Sequence, residues 1–273
     1  MTRVITVANQ KGGVGKTTST VNIAAAVAQA GHSVLVIDMD PQGNASTALG
    51  AIHHEGTASV YEVLTGELGI ADVVQSCPDV PGLWTAPATI DLAGAEIELV
   101  SQVAREYRLS RAVETYLARY AEEQGRELEY VFLDCPPSLG LLTLNGLVAA
   151  REVLLPIQCE YYALEGLSQL LRTIDMVRIH LNPTLVVSAI LLTMYDGRTR
   201  LASQVADEVR THFGEQVLQT VIPRSVRVSE APSYGQTVLT YDPTSPGALA
   251  YREAAMQVVE LHTALSTKLS TDI

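Results

Sequence analysis

The feature that most constrains this chain is the glycine-rich stretch KGGVGKTT at residues 11–18. It follows the apolar run RVITVAN and precedes an alanine-rich segment with helical spacing. A glycine-rich turn between a strand and a helix is the context that a phosphate-binding loop requires. Glycines let backbone N–H groups face phosphate oxygens without an intervening Cβ, and the helix N-terminus adds a partial positive charge. The stretch therefore predicts a site for a nucleoside triphosphate.

Two residues of this loop carry specific chemistry. In a phosphate-binding loop, the lysine before the threonine neutralises the β- and γ-phosphate oxygens, and the threonine hydroxyl ligates Mg²⁺. Lys16 and Thr17 occupy these positions, so we assign Lys16 to catalysis and Thr17 to the metal. The residues of the loop predicted to bind the nucleotide are Gly12, Gly13, Val14, Gly15, Lys16, Thr17 and Thr18.

The rest of the chain alternates short β-branched runs with longer helical patterns. This alternation predicts an α/β fold of the P-loop NTPase type, with a doubly wound, mostly parallel sheet and helices on both faces. Residues 43–125 are less regular, and we interpret them as a mainly helical insertion within a single domain, 1–273. The strands are predicted at 3–9, 33–38, 129–134, 152–157, 184–193 and 216–222, and the main helices at about 17–30, 139–149, 162–180, 200–213 and 246–267.

Three aspartates are candidates for work near the phosphates. Asp38 and Asp40 follow the second predicted strand, and alternation along an extended segment places both carboxylates on one side. One of them could organise the Mg²⁺ shell while the other orients the attacking water. Asp134 ends the apolar run EYVFLD, a Walker B pattern in which the acid holds Mg²⁺ directly or through water.

Several segments resemble one family of ATPases. KGGVGKTT resembles the deviant Walker A motif of the ParA/MinD/nitrogenase iron protein class. The segments DMDPQGN, DCPPSLG, TMYDGRTRL and IPRSVRVSEAPSYGQ resemble ParA/Soj proteins, and the resemblance extends over nearly the whole chain. It implies a dimer in which Lys11 reaches the nucleotide held by the partner subunit. Lys11 therefore joins the predicted nucleotide-binding and catalytic residues.

The resemblance also assigns roles to other residues of the site. It implies that Asp40 positions the attacking water for hydrolysis and that Asp38 supports the metal shell. It further implies that Pro223 and Arg224 lie beside the adenine, mainly through their backbone.

A DNA-binding surface must be local, because the formal net charge of −12 counts against bulk attraction to DNA. Arg198 and Arg200 lie on the turn after one predicted strand, while Arg224 and Arg227 follow the last one. Both turns leave neighbouring strands at the same edge of the sheet, so their arginines can converge. The resemblance implies that Arg198 and Arg227 contact DNA without sequence preference, and Arg200 is a further candidate.

Together these features favour an ATP-dependent switch of DNA partition with ATP and Mg²⁺ as cofactors. The resemblance implies that an ATP-bound homodimer binds double-stranded DNA. It also implies slow ATP hydrolysis, stimulated by a ParB-type centromere-binding protein, that drives chromosome or plasmid segregation. Three cysteines without a CxxC pair fit a reducing cytoplasm, and DNA binding would place the protein on the nucleoid.

The main alternative is a MinD-like membrane-associated positioning ATPase. That function needs a C-terminal amphipathic helix with bulky apolar and basic faces. The tail VVELHTALSTKLSTDI has one lysine and no aromatic residue, so we expect no membrane binding. A metal-cluster carrier would need paired cysteines, and no second cysteine has an evident place beside Cys135.

Overall fold

A computed structural model of the chain describes residues 1–160 and 163–271, and their side chains except those of 163–166 and 262–271. Within this part, eight strands form one sheet in the order β3-β4-β2-β5-β1-β6-β7-β8. All neighbours pair in parallel except β3 and β4. The strands are β1 (Arg3–Val7), β2 (Val34–Asp38), β3 (Gln75–Ser76), β4 (Leu83–Ala86), β5 (Tyr130–Asp134), β6 (Glu152–Gln158), β7 (Val186–Tyr195) and β8 (Val217–Pro223).

Helices lie between the strands and cover both faces of the sheet, which confirms the predicted doubly wound architecture. They are α1 (Lys16–Gln29), α2 (Asn44–Ala48), α3 (Val60–Thr65), α4 (Ile70–Val73), α5 (Leu92–Glu98), α6 (Arg108–Gln124), α7 (Leu141–Ala149), α8 (Ala163–His180), α9 (Arg200–Phe213), α10 (Val226–Glu230), α11 (Val238–Tyr241) and α12 (Pro246–Thr271).

The segment 43–125, interpreted from the sequence as a mainly helical insertion, also contributes strands to the sheet. It contains five helices, but it also contributes β3 and β4 to the sheet, with β4 parallel to β2. The strand β4 has only four residues and lies between a Pro-Gly pair and Pro87. A run this short carries little periodicity, and its flanking prolines suggest a loop. Its place in the sheet is set by pairing with β2.

Two hydrophobic layers explain why the strands are continuously apolar. Along β5, Val131 and Leu133 belong to the layer under α3, α5, α6, α7 and α8, whereas Phe132 belongs to the layer under α1 and α12. Successive side chains of a strand point to opposite faces, so a strand covered on both sides must be apolar throughout.

A buried ion pair ties the C-terminal helix to the sheet. The Arg3 guanidinium on β1 donates to both carboxylate oxygens of Glu152 on β6, at 2.8 and 2.7 Å. Its third contact is the carbonyl oxygen of Val258 on α12, at 2.8 Å. All charges of the pair are therefore matched inside the protein.

The order of the strands also determines where on the sheet a ligand-binding site is expected. From β1 the chain moves to one side of the sheet through β2, β4 and β5, and then to the other side through β6, β7 and β8. Ligands of open α/β sheets bind at the carboxyl ends of the strands beside such a switch point. The loop after β1 and the ends of β2 and β5 meet there, with Asp38 and Asp134 as paired positions on neighbouring strands.

A candidate nucleotide site at the switch point of the sheet

The loop between β1 and α1 has the backbone conformation that its glycines permit. Gly13 has φ 74° and Gly15 has φ 86°, values in the left-handed region where a side chain is strained. Gly15 directly precedes the first residue of α1. The Thr193 hydroxyl on β7 donates to the carbonyl oxygen of Val14 at 2.8 Å, which fixes the loop to the sheet. The loop conformation is therefore held by its glycines and by this hydrogen bond to the sheet.

Lys16 lies across this loop. Its ammonium Nζ donates to the carbonyl oxygen of Lys11 at 3.2 Å, and its side chain is buried. Burial lowers the pKa of Lys16, an effect opposed by the negative charges of Asp134 and Asp40. An anion in the loop would favour the charged ammonium further. Lys16 therefore lies beside the cleft in front of the loop, and its role in binding phosphate oxygens stays a prediction.

A cleft of about 540 Å³ opens in front of the loop. This volume is within the range of small-molecule sites. The predicted residues that line it are Gly12, Gly13, Gly15, Lys16, Thr17, Thr18 and Asp40. Val14 instead packs inward and is buried.

Asp134 supplies an unpaired oxygen at the base of the loop. The carboxylate is fully buried, and its Oδ1 accepts from the Thr20 hydroxyl at 2.8 Å. Its Oδ2 is buried without a hydrogen-bond partner among the described residues. Burial, followed by the negative charge of Asp38, raises the pKa of Asp134.

A cation suits that oxygen. Mg²⁺ prefers hydroxyl and carboxylate oxygens and keeps several of its waters. The buried Oδ2 of Asp134 and the hydroxyl of Thr17 at the cleft provide such donors. The residues present therefore fit a magnesium ion held by Thr17, with Asp134 as a direct or water-mediated partner.

Asp38 is used differently from the other acids. Its Oδ1 accepts from the backbone N–H of Asp40 at 3.1 Å, and its Oδ2 accepts from the backbone N–H and hydroxyl of Ser46 at 2.9 and 2.7 Å. Burial raises its pKa despite these bonds. The Ser46 hydroxyl in turn accepts from the backbone N–H of Ala88 at 3.0 Å. Asp38 therefore shapes the loop that carries Asp40, and its assignment to the metal shell stays a prediction.

Asp40 is the acid that faces the cleft. It is largely buried, and its Oδ1 accepts from the backbone N–H of Gln42 at 3.0 Å, which orients the carboxylate. The position suits an acid that holds a water near the terminal phosphate. The assignment of Asp40 to water positioning stays a prediction.

Lys11 stands at the rim of the site rather than inside it. Its ammonium forms an ion pair with Glu160 of the same chain, and its side chain is 38% exposed. It is absent from the cleft lining. Its backbone N–H is held by Asn9 Oδ1 at 3.0 Å. The cation is therefore close to the loop without serving the cleft of its own chain.

The turns after β7 and β8 that carry the arginines lie side by side. Tyr195 pairs with Pro223 across these strands, and the backbone N–H of Arg224 donates to the Tyr195 carbonyl at 3.2 Å. Neither Pro223 nor Arg224 lines the main cleft. Their place beside the adenine therefore stays a prediction.

The three predicted DNA-binding arginines are exposed, and two of them, Arg198 and Arg227, are paired with acids. Arg198 is 89% exposed and donates to both oxygens of Asp196 at 2.8 Å. This bidentate hydrogen bond lowers the pKa of Asp196 to about 2. Arg227, on α10, lies 3.4 Å from Glu230 and 3.5 Å from Asp242. Arg200 is the first residue of α9.

Comparison with known proteins identifies the family to which the chain belongs. A family model described as an AAA domain matches residues 2–187. The sporulation initiation inhibitor protein Soj of Bacillus subtilis (strain 168) is 49% identical over 258 residues, 94% of this chain and 98% of the relative. The chromosome partitioning protein ParA of Caulobacter vibrioides (strain NA1000 / CB15N) is 49% identical over 257 residues, 94% of each chain. The chain belongs to the ParA/Soj family of partition ATPases.

A solved structure resembles this ParA/Soj chain over its length. Cobyrinic acid a,c-diamide synthase from Mycobacterium smegmatis, with bound ADP and magnesium, has a TM-score of 0.79 and 40% identity and covers 93% of both chains. Its name is that of a synthase, whereas the two relatives above are more similar in sequence. The ADP and magnesium in that structure are what the cleft and the oxygen donors of this chain also fit.

Some residues of the ParA/Soj cleft had no role assigned from the sequence. Gln42, Asn44, Thr47 and Ala48 line one wall, and Pro232 and Ser233 line another. Gln42 and Asn44 belong to PQGN, and Pro232 and Ser233 belong to APSYGQ, two stretches within the segments that carried the family resemblance. Their distance along the chain from the phosphate loop left no spacing signal, so only the fold identifies them as part of the cleft.

Two further features bear on the alternatives. Cys135 is buried, which raises the pKa of its thiol, and no cluster of three metal-ligating side chains occurs among the residues that the structure describes. No helix in that same part of the chain is long and apolar enough to cross a bilayer. The side chains of the tail from residue 262 lie outside the described residues, so the expectation about its membrane binding stays a prediction.

Proposed function

We propose that this chain is a Mg²⁺-dependent ATPase of chromosome partition whose ATP-bound form is a dimer that binds DNA. The observation that carries the proposal is the position of Lys11. It lies beside the phosphate loop, does not line its own cleft, and is half exposed. A lysine in this position can reach the nucleotide of a second copy by exchanging Glu160 for a phosphate, while Lys16 serves its own.

The chemistry follows from the charges around the cleft. Lys16 and the N–H groups of the loop neutralise the phosphate oxygens, and a lysine supplied by the partner adds charge where it develops during transfer. Mg²⁺ bound by Thr17 and supported by Asp134 would neutralise further phosphate charge. Asp40, oriented by the Gln42 N–H, accepts a hydrogen bond from the attacking water. Loss of the γ-phosphate removes the contact that holds the two copies together.

The DNA contact rests on the arginine turns after β7 and β8. Their backbones are joined by the bond from Arg224 to Tyr195, so two separate segments present cations on one edge of the sheet. In a dimer the patch is doubled, and at least four arginines face the phosphate backbone without reading bases. A ParB-type partner would stimulate hydrolysis and so release the protein from the nucleoid.

Sedimentation velocity with ATP, Mg²⁺ and a duplex of arbitrary sequence tests these steps. We expect a dimer only with ATP, and co-migration with DNA only for the dimer. Lys11→Ala should abolish the ATP-dependent dimer, whereas Arg172→Glu, which changes an exposed residue of α8, should not. A Lys11→Ala variant that dimerises normally would contradict the proposed role of Lys11.

A vesicle flotation assay tests the membrane alternative. We expect no co-flotation with vesicles of phosphatidylglycerol and phosphatidylethanolamine in the presence of ATP. ATP-dependent vesicle binding without DNA binding would favour the MinD-like function.

A further inference from the structure

One face of α6 carries a row of arginines that the nucleotide and DNA sites do not use. Arg108, Arg111 and Arg119 follow each other at spacings that place them on the same side of a helix. The three line a cleft of about 300 Å³ against α3, α4 and the turn between them. The side chains of Arg111 and Arg119 are exposed, and that of Arg108 is half-buried.

A second cleft continues the first along the same helix. It has a volume of about 310 Å³ and ends at Arg126, just beyond α6. The two clefts share Ala71, Tyr116 and Arg119, so they form one groove. We call this the α6 groove. The 17 residues of α6 rise about 24 Å, the length of roughly seven extended residues.

The lining of the α6 groove is both cationic and apolar. Its charged members are four arginines (Arg108, Arg111, Arg119 and Arg126) and one acid, Glu123. Aromatic rings follow each other on its wall, with Tyr116 and Tyr120 6.1 Å apart and Trp84 6.4 Å from Tyr120, between ring centroids. The lining therefore combines hydrogen-bond donors for anions with surface for apolar side chains.

Most of these arginines have no carboxylate partner of their own. Arg119 forms an ion pair with Glu123, and Arg108 donates to the side-chain oxygen of Gln102. No carboxylate among the described residues pairs with Arg111 or Arg126. The chain has a net charge of −12, so a groove lined by four arginines and one acid is unusual on its surface. Ion pairs among the described residues do not account for most of these arginines.

We propose that the α6 groove binds an extended acidic segment of a partner protein that also carries apolar side chains. Guanidinium groups bind carboxylates in bidentate geometry, and the apolar floor, including Val63 and Ile70, accepts aliphatic side chains between them. Duplex DNA fits less well, because its phosphates would leave the apolar floor and the aromatic wall of the groove without contacts.

The groove lies at the opposite edge of the sheet from the arginine turns. Trp84 is on β4, beside the edge strand β3, whereas Arg198 and Arg224 follow β7 and β8 at the other end of the strand order. The nucleotide loop lies between them, after β1. An acidic partner can therefore bind while the DNA edge and the nucleotide cleft are both occupied.

Fluorescence anisotropy with a labelled eight-residue peptide of alternating glutamate and leucine tests the proposal. We expect saturable binding to the full chain at physiological salt, and weaker binding of an all-glutamate peptide because it lacks the apolar contacts. The double variant Arg111→Glu/Arg126→Glu should lower the peptide affinity at least tenfold. The control Arg172→Glu, on α8, should leave it within twofold.

Two further measurements keep the result interpretable. The double variant should retain wild-type ATPase activity and an unchanged melting temperature, which shows that only the groove has changed. The proposal is overturned if the peptide does not bind, if the double variant binds it as well as the wild-type chain, or if labelled oligothymidine binds the groove more tightly than the peptide. The last result would instead identify a site for single-stranded nucleic acid.

Discussion

Replacing Asp134 by asparagine should stabilise the protein without metal and weaken its response to magnesium. Asp38 and Asp134 occupy paired positions on neighbouring parallel strands, and both are fully buried. Adjacent strands lie about 4.8 Å apart. Two carboxylates separated by roughly 5 Å repel each other by about 3 kcal/mol at an effective dielectric constant of 20. An asparagine keeps the oxygen that accepts from Thr20 and removes one of the two charges.

The expected gain is smaller than this repulsion. The asparagine amide needs an acceptor of its own inside the protein, and an unmatched donor costs about 1–3 kcal/mol. We therefore expect a net stabilisation of up to about 2 kcal/mol, or up to roughly 6 °C in Tm for a chain of this size. The measurement is differential scanning fluorimetry of Asp134→Asn and wild-type protein in EDTA at pH 8.

The pH dependence of stability is a second test of the effect of Asp134→Asn. Burial raises the pKa of Asp134 to about 7 from an ordinary 3.8, so the folded state binds more protons than the unfolded state in this interval. The stability of the metal-free wild-type protein should therefore fall as the pH rises from about 4 to about 7, and the variant should show a smaller fall. Mg²⁺ with ADP should raise the wild-type Tm and raise that of the variant much less. A variant that is less stable in EDTA, or that responds to Mg²⁺ with ADP as the wild type does, would refute the reasoning.

Three other results are expected. With four arginines of a dimer on phosphates, the log–log dependence of DNA affinity on salt should have a slope of about −3 to −4; a slope near zero in a filter-binding titration would exclude the phosphate contacts. Asp40→Ala should retain ATP-dependent dimers on DNA and lose phosphate release, and an unchanged hydrolysis rate would contradict the role of Asp40. Arg3→Met should cost about 3–5 kcal/mol in urea unfolding because it leaves Glu152 charged and buried, whereas Arg3→Met with Glu152→Leu should cost clearly less; equal losses would show that the ion pair itself is not the cause.

Much of the fold could be predicted because its central strands are covered on both faces. The segments of β1, β2, β5, β6 and β7 are mostly apolar along their length, and such runs are visible without any structure, whereas β8, at the edge of the sheet, is interrupted by Gln219 and Thr220. The strands β3 and β4 are not visible in this way. Four residues between prolines carry no period, and β4 is a strand because β2 offers it a free edge.

The candidate site likewise contains residues that could be predicted from the sequence and residues whose roles depend on the fold. The loop from Gly12 to Thr18 could be predicted because its chemistry is local in the sequence. The use of Asp38 could not, since its partners Ser46 and Asp40 are defined by how the following loop folds back. The α6 groove was missed for a related reason. Its arginines are regularly spaced, but their excess over acids appears only when α3 and α4 close the other wall.

The hydrogen bonds around Ser46 have a mechanical consequence. The Ser46 hydroxyl donates to Asp38 and accepts from the backbone N–H of Ala88. It therefore links the loop that carries Asp40 to the segment that leads into α5. If that loop shifts, Ala88 must move with it, or its buried backbone N–H loses its acceptor. The second outcome costs about 1–3 kcal/mol. If loss of a phosphate moves the loop that carries Asp40, the segment before α5 would therefore move with it, without a large rearrangement of the sheet.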